Sequence, residues 1–120
     1  MKIAISSAGA TLEDSIDLRF GRAAMFIVYD LDHETFTAVD NEQNLNAAQG
    51  AGIQAAQHVV NSGALAIITG HTGPKAFKVL EAAKIPVYLA SGGSVREAIA
   101  AFRNGSLKAI READVEGHWV

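Results

Sequence analysis

The chain has 120 residues, of which 49% are apolar and 19% charged, and a formal net charge of −3. That length suits one domain able to bury roughly two thirds of its unfolded surface, so folding requires neither a disulfide nor a structural metal. The composition argues against a helical membrane protein, which needs a run of about 18 apolar residues, and against a disordered chain. The mild negative charge argues against non-specific nucleic-acid binding, which needs dense Lys and Arg facing phosphates.

Cysteine is absent, so a soft metal or sulfide cluster bound here finds no protein thiolate. The opening "MKIAISSAG" has too few apolar positions for a secretory signal, and with the missing cysteines it implies a cytoplasmic protein. No repeat or low-complexity tract marks a boundary, so residues 1–120 read as a single domain.

In chain order, "KIAIS" (2–6) reads as a buried strand opening onto a loop that runs through Leu18. "AMFIVYDLD" (24–32) and "TFTAVDN" (35–41) are rich in β-branched and aromatic residues and predict an antiparallel hairpin turning at "HE". From Asn46 to Ser62, the spacing of Ile53, Ala56, Val59 and Val60 predicts a helix that starts in "NAAQGAG" (46–52) and that Gly63 ends. "ALAIIT" (64–69) is a fully apolar strand. Pro74 suits the first turn of a helix through Lys84, and "PVYLA" (86–90) is another strand. "SVREAIAAFRNG" begins with Ser94 as N-cap, carries Glu97 three residues later as a capping box, and ends at Gly105.

A hairpin followed by two helix-linked strands predicts a mixed five-stranded α/β sheet with helices on both faces. Ligands in such folds bind beyond the carboxyl ends of the parallel strands, which here are "SSAG" (6–9), "GHTG" (70–73) and "SGGS" (91–94). Gly70 and Gly73 either only permit a tight turn, or also present backbone N–H groups and a helix N-terminus to an anion, assisted by His71 and Lys75. The convergence of three small-residue loops, with Gly92 and Gly93 in the third, favours a ligand site. The stretch is not a nucleotide P-loop, because Pro-Lys-Ala follows Gly73. "GAG" (50–52) follows no strand directly and lacks a third glycine, so it makes a poor dinucleotide fingerprint. In "LRFGRAAMFIVYD" (18–30), Arg19 and Arg22 flank Phe20-Gly21 and can bring two guanidiniums to an anionic ligand. Phe20 can equally plug the core and leave both arginines solvated.

"RFGRAAMFIVYD", "GAGIQAAQ", "GHTGPKAF" and "GGSVREAIAAFRNGSL" together resemble the dinitrogenase iron-molybdenum cofactor biosynthesis family, from Lys2 to about Lys108. The resemblance implies a three-layer, ribonuclease-H-like α/β/α domain and a role in binding or carrying metal-sulfide clusters. The family includes carriers of nitrogenase assembly and the small orange proteins of anaerobic bacteria, which hold a molybdenum-copper sulfide cluster without covalent attachment. The implied cargo is therefore a molybdenum-copper or iron-molybdenum cluster, with other cluster-handling proteins as partners. The expected contacts are Arg19, Phe20, Gly21, Arg22, Gly70, His71, Thr72, Gly73, Lys75, Gly92 and Gly93, with His71 as the candidate metal ligand. Carriers of nitrogenase assembly often have His-Phe-Gly where this chain has Arg19-Phe20-Gly21, and a guanidinium does not coordinate metals.

A metal-dependent phosphoesterase or nuclease is the rival on such a fold, and it needs carboxylates on the central strands. "KIAIS" and "ALAIIT" have none, so a non-enzymatic carrier, monomeric or weakly dimeric, is the expectation. His33, His58 and His118 read as turn, helix-surface and tail residues, and Trp119 is either a docking residue of an interaction module or folds back on the sheet.

Overall fold

The computed structural model describes residues 1–43, 46 and 50–110. The expected roles of His118 and Trp119 lie outside them. The described strands are β1 (Lys2–Ser7), β2 (Met25–Asp30), β3 (Thr35–Asp40), β4 (Ile67–Thr69), β5 (Val87–Leu89) and β6 (Lys108–Ile110). The helices are α1 (Ala51–Asn61), α2 (Pro74–Ala82) and α3 (Val95–Arg103). The strands form one mixed sheet in the order β3-β2-β1-β4-β5-β6. β1, β4 and β5 run parallel, while β2 reverses against β1 and β6 against β5.

The middle of β1 (Ile3, Ala4, Ile5) and the start of β4 (Ile67, Ile68) are apolar because both of their faces are covered. On one face Ala4, Phe26, Ile67 and Val87 pack with Ala55, Ala56 and Val59 of α1 and with Ala76 and Leu80 of α2. On the other, Ile3, Ile5, Ile27 and Ile68 pack with Val95, Ala98 and Ile99 of α3. Neighbouring residues along β1 and β4 therefore serve opposite cores, as the two-residue period of a strand requires.

The expected five strands become six. β6 has only three residues, too few for a periodic signal, and its pairing of Leu89 with Lys108 and Val87 with Ile110 exists only once the chain has reversed after α3. Gly105, at φ +78, lies in that reversal. Among the described residues α1 begins at Ala51, inside the "NAAQGAG" stretch expected to hold its start, after an extended Gly50 at φ −76, ψ 178. The hairpin connection is residues 31–34 rather than two residues, with Glu34 at φ 57. There the Asp30 carboxylate accepts the N–H groups of Asp32 and His33 and pairs with His33 Nδ1 at 2.9 Å. That imidazole contact, with the backbone donors, holds the Asp30 carboxyl below its ordinary range.

Candidate functional site

The loop after β1 does not hang free over the sheet; it is a strap sewn across the carboxyl ends of the parallel strands. Ser6, fully buried, donates its hydroxyl to the carbonyl of Asp17 at 2.5 Å and lies 2.8 Å from the Thr69 hydroxyl at the end of β4. The Asp17 N–H returns to the Ser6 carbonyl at 2.8 Å. Farther along, Ile16 donates to the Gly93 carbonyl at 2.9 Å, and Leu18 and Phe20 bracket His71. His71 donates its backbone N–H to Leu18 at 3.0 Å, and Phe20 donates to His71 at 3.3 Å. The strap thus joins the three small-residue loops that the sequence places at this edge.

This stitching explains two glycines. A Cβ at Gly70 would lie 2.5 Å from the Leu18 carbonyl oxygen, so only glycine lets the strap approach the β4–α2 turn. Gly93 stands at φ +89, where side chains are strained, and a Cβ there would also meet Glu97 at 2.9 Å.

The three helix starts differ. The first turn of α3 is satisfied from within: Ser94 and Glu97 form the expected capping box, while Val95 and Arg96 donate to the carbonyls of Asp14 and Leu12. Arg96 also pairs with Glu13 at 2.6 Å, which lowers the Glu13 carboxyl, and Asp14 is lowered by hydrogen bonds from Thr11. The amides starting α3 are therefore committed to the strap. At α1 and α2 the N-caps are Gly50 and Gly73, which have no side chain to cap with.

A cleft of about 730 Å³ opens between the β4–α2 turn, the β5–α3 turn and α3. Gly70, His71, Gly92 and Gly93 line it, as does Leu18 of the strap. Much of its wall is apolar: Leu89 from β5, Ala98 and Ala101 from α3, and Leu107 before β6. Sequence reading missed these residues because they look like ordinary core positions, and only the helix-to-sheet gap shows that one side of them is open. His71 is exposed, and the side chain of Arg19, bridged to it through the backbone, is 65% exposed and 3.5 Å from the Asp17 carboxylate.

The remaining sequence candidates fall elsewhere. Phe20 is 1% exposed and packs on Phe26 with ring centroids 5.3 Å apart, so it is the core plug that the strap hangs from and offers no ring to a ligand. Thr72 is likewise buried, at 1%. Gly21 lies against Gly52 of α1, which accounts for the "GAG" stretch as helix packing. Gly73 and Lys75 line a separate hollow of about 300 Å³ with Gly50, Gly52 and Ile53, and Arg22 is exposed at the end of the short 3₁₀ turn Phe20–Arg22. Among the described residues no three of His, Asp and Glu come together as a metal site, and no helix is long and apolar enough to cross a membrane.

The sequence profile of the family described as dinitrogenase iron-molybdenum cofactor matches residues 1–105, which include the strap, both glycine turns and all of α3. The chain belongs to this family. A solved relative is the apo form of the orange protein from Desulfovibrio gigas, 39% identical, with a TM-score of 0.87 over 95% of this chain and 96% of that one. A NifB-like protein from Thermotoga superposes with a TM-score of 0.82 at 35% identity, covering 97% of this chain and 98% of its own. An uncharacterized protein from Methanocaldococcus jannaschii is 32% identical over 91 residues, 74% of this chain and 77% of that protein. The family match spans the cleft residues from Leu18 to Ala101 and stops short of Leu107.

Proposed function

We propose that the protein binds and carries an anionic, sulfide-capped metal cluster, of molybdenum-copper or iron-molybdenum type, non-covalently in the 730 Å³ cleft. The observation that carries this reading is the chemistry of the walls, apolar surface beside glycine turns and a histidine, with Arg19 next to the lining residue Leu18 and bridged to His71 through the backbone, and with no cysteine in the chain. A sulfide-capped cluster spreads its charge over large, weakly hydrated atoms, so it tolerates apolar contact and needs charge complementarity and N–H donors in place of thiolate ligands. Family membership supports a cluster-related role.

Arg19, His71 and the backbone of Gly70, Gly92 and Gly93 are the proposed contacts, with His71 as the side chain able to ligate copper. Lys75, with Gly73 in the neighbouring hollow, and Arg22, after Gly21 in the 3₁₀ turn, add positive potential, and Phe20 and Thr72 hold the strap and turn in place. The chain would act as one ribonuclease-H-like domain, a reading supported by the order β3-β2-β1-β4-β5 with β2 reversed. It would be a cytoplasmic, monomeric or weakly dimeric carrier rather than an enzyme, exchanging cargo with other cluster-handling proteins. Titrating the purified protein with tetrathiomolybdate and Cu(I), and separately with isolated iron-molybdenum cofactor, tests this. The expected result is stoichiometric charge-transfer absorbance with amide shifts in 70–73 and 91–94; no absorbance and no shifts with either would end the proposal.

A further inference from the structure

Glu97 is the one carboxylate among the described residues lining the cleft, and it is exposed. Its Oε1 accepts the Ser94 N–H at 2.8 Å, yet among the described residues it enters no ion pair, whereas nearby Glu13 is matched by Arg96. The cap does not demand the charge, since glutamine serves the same position in a capping box. A carboxylate with no ion-pair partner at the edge of a site read as anion-binding is thus a negative charge that the capping hydrogen bonds do not require.

We propose that Glu97 is a specificity-determining residue that limits how much negative charge the cleft admits. The inference rests on the cluster-binding reading above. A space of 730 Å³ is roughly 11 Å across, comparable to the Debye length of about 10 Å at 0.1 M salt, so a ligand anywhere inside it feels the carboxylate. Coulomb repulsion scales with ligand charge, while contact with Leu89, Ala98 and Ala101 does not. Glu97 therefore penalises a dianion twice as heavily as a monoanion of the same shape. It draws the balance toward ligands whose charge Arg19 and His71 can match. Were the charge present only to complement the α3 dipole, its removal would lower stability and leave this ratio alone.

Tetrathiorhenate and tetrathiomolybdate are tetrahedral, sulfide-capped anions of similar size with one and two negative charges, and they serve as probes. In the full chain, Glu97→Gln should tighten tetrathiorhenate about three-fold and tetrathiomolybdate about ten-fold at low ionic strength, with both gains shrinking in high salt. Ser94→Ala breaks the same cap but keeps the charge, so it should reduce stability and preserve the wild-type ratio between the probes. Equal effects of Glu97→Gln on the two probes, no tightening, or a ratio altered as strongly by Ser94→Ala would overturn the assignment while leaving cluster binding intact. A wild-type protein that binds neither probe would overturn the assignment of Glu97, while the titrations with Cu(I) and with isolated iron-molybdenum cofactor decide the cluster reading separately.

Discussion

Gly70→Ala is the sharpest test of the strap. The new Cβ would lie 2.5 Å from the Leu18 carbonyl oxygen and 2.6 Å from its Cα, and reaching ordinary contact requires the strap to withdraw by about 1 Å. The obstructing atoms are mostly backbone, so no rotamer relieves the clash. Withdrawal breaks or stretches the bond from the His71 N–H to Leu18 at 3.0 Å and the one from the Phe20 N–H to His71 at 3.3 Å. Two net hydrogen bonds contribute about 1–3 kcal/mol, and partial displacement of Phe20 from its contact with Phe26 adds to that, giving an expected loss of about 2–4 kcal/mol. Urea unfolding followed by circular dichroism measures this as a lower midpoint at unchanged m-value. Because Leu18 and Arg19 move with the strap, thiomolybdate binding should also weaken under conditions where the variant is folded. A Gly70→Ala protein within 0.5 kcal/mol of wild type that binds equally well would show that the strap is not held at this point.

Arg19→Ala should weaken thiomolybdate binding about ten-fold by removing a charge-assisted hydrogen bond, while stability stays put because its exposed pair with Asp17 at 3.5 Å contributes little. Titration together with urea unfolding checks both halves, and a stability loss without an affinity loss would assign Arg19 a structural role instead. Ser94→Ala should cost about 1 kcal/mol through loss of the N-cap acceptor, read as a lower unfolding midpoint, and no measurable loss would mean that the strap carbonyls alone suffice to start α3. Asp30 has an ordinary value of 3.8, lowered in the fold chiefly by the His33 ring and then by backbone donors. A lowered carboxyl contributes stability that is present above the unfolded value and lost as pH falls through the folded one. Unfolding midpoints measured from pH 6 down to pH 2 should therefore drop less steeply for Asp30→Asn than for wild type, and parallel curves would contradict the assignment.

The local signals in the sequence were strong where one element could satisfy itself. The Ser94–Glu97 capping box, Pro74 opening α2 and the apolar runs of β1 and β4 depend on neighbours within a few residues, so spacing alone locates them. The placing of three glycine- and serine-containing loops at one sheet edge was also legible, because a parallel sheet puts its carboxyl ends together whatever the side chains are. β6 was not legible, since three residues carry no period, and the exact first residue of α1 within "NAAQGAG" was not, since the extended backbone of Gly50 leaves no trace in composition.

For the site, residue types and tertiary position part company. By itself the sequence determined the family, the lack of thiolates and the candidate donors Arg19 and His71. Only the folded chain decided which candidates share a space: His71, Gly70, Gly92 and Gly93 line one cleft, Lys75 and Gly73 line another hollow, and Phe20 is spent on the core. The strap is the reason. Its hydrogen bonds link Ser6, Asp17, Leu18, His71 and Gly93 across separations of 11 to more than 70 residues, and such pairings are set by which surfaces the two cores leave uncovered, not by any pattern along the chain. The same holds for Glu97, which spacing identifies as a cap and which only the cleft beside it reveals as a charge facing a ligand-sized space.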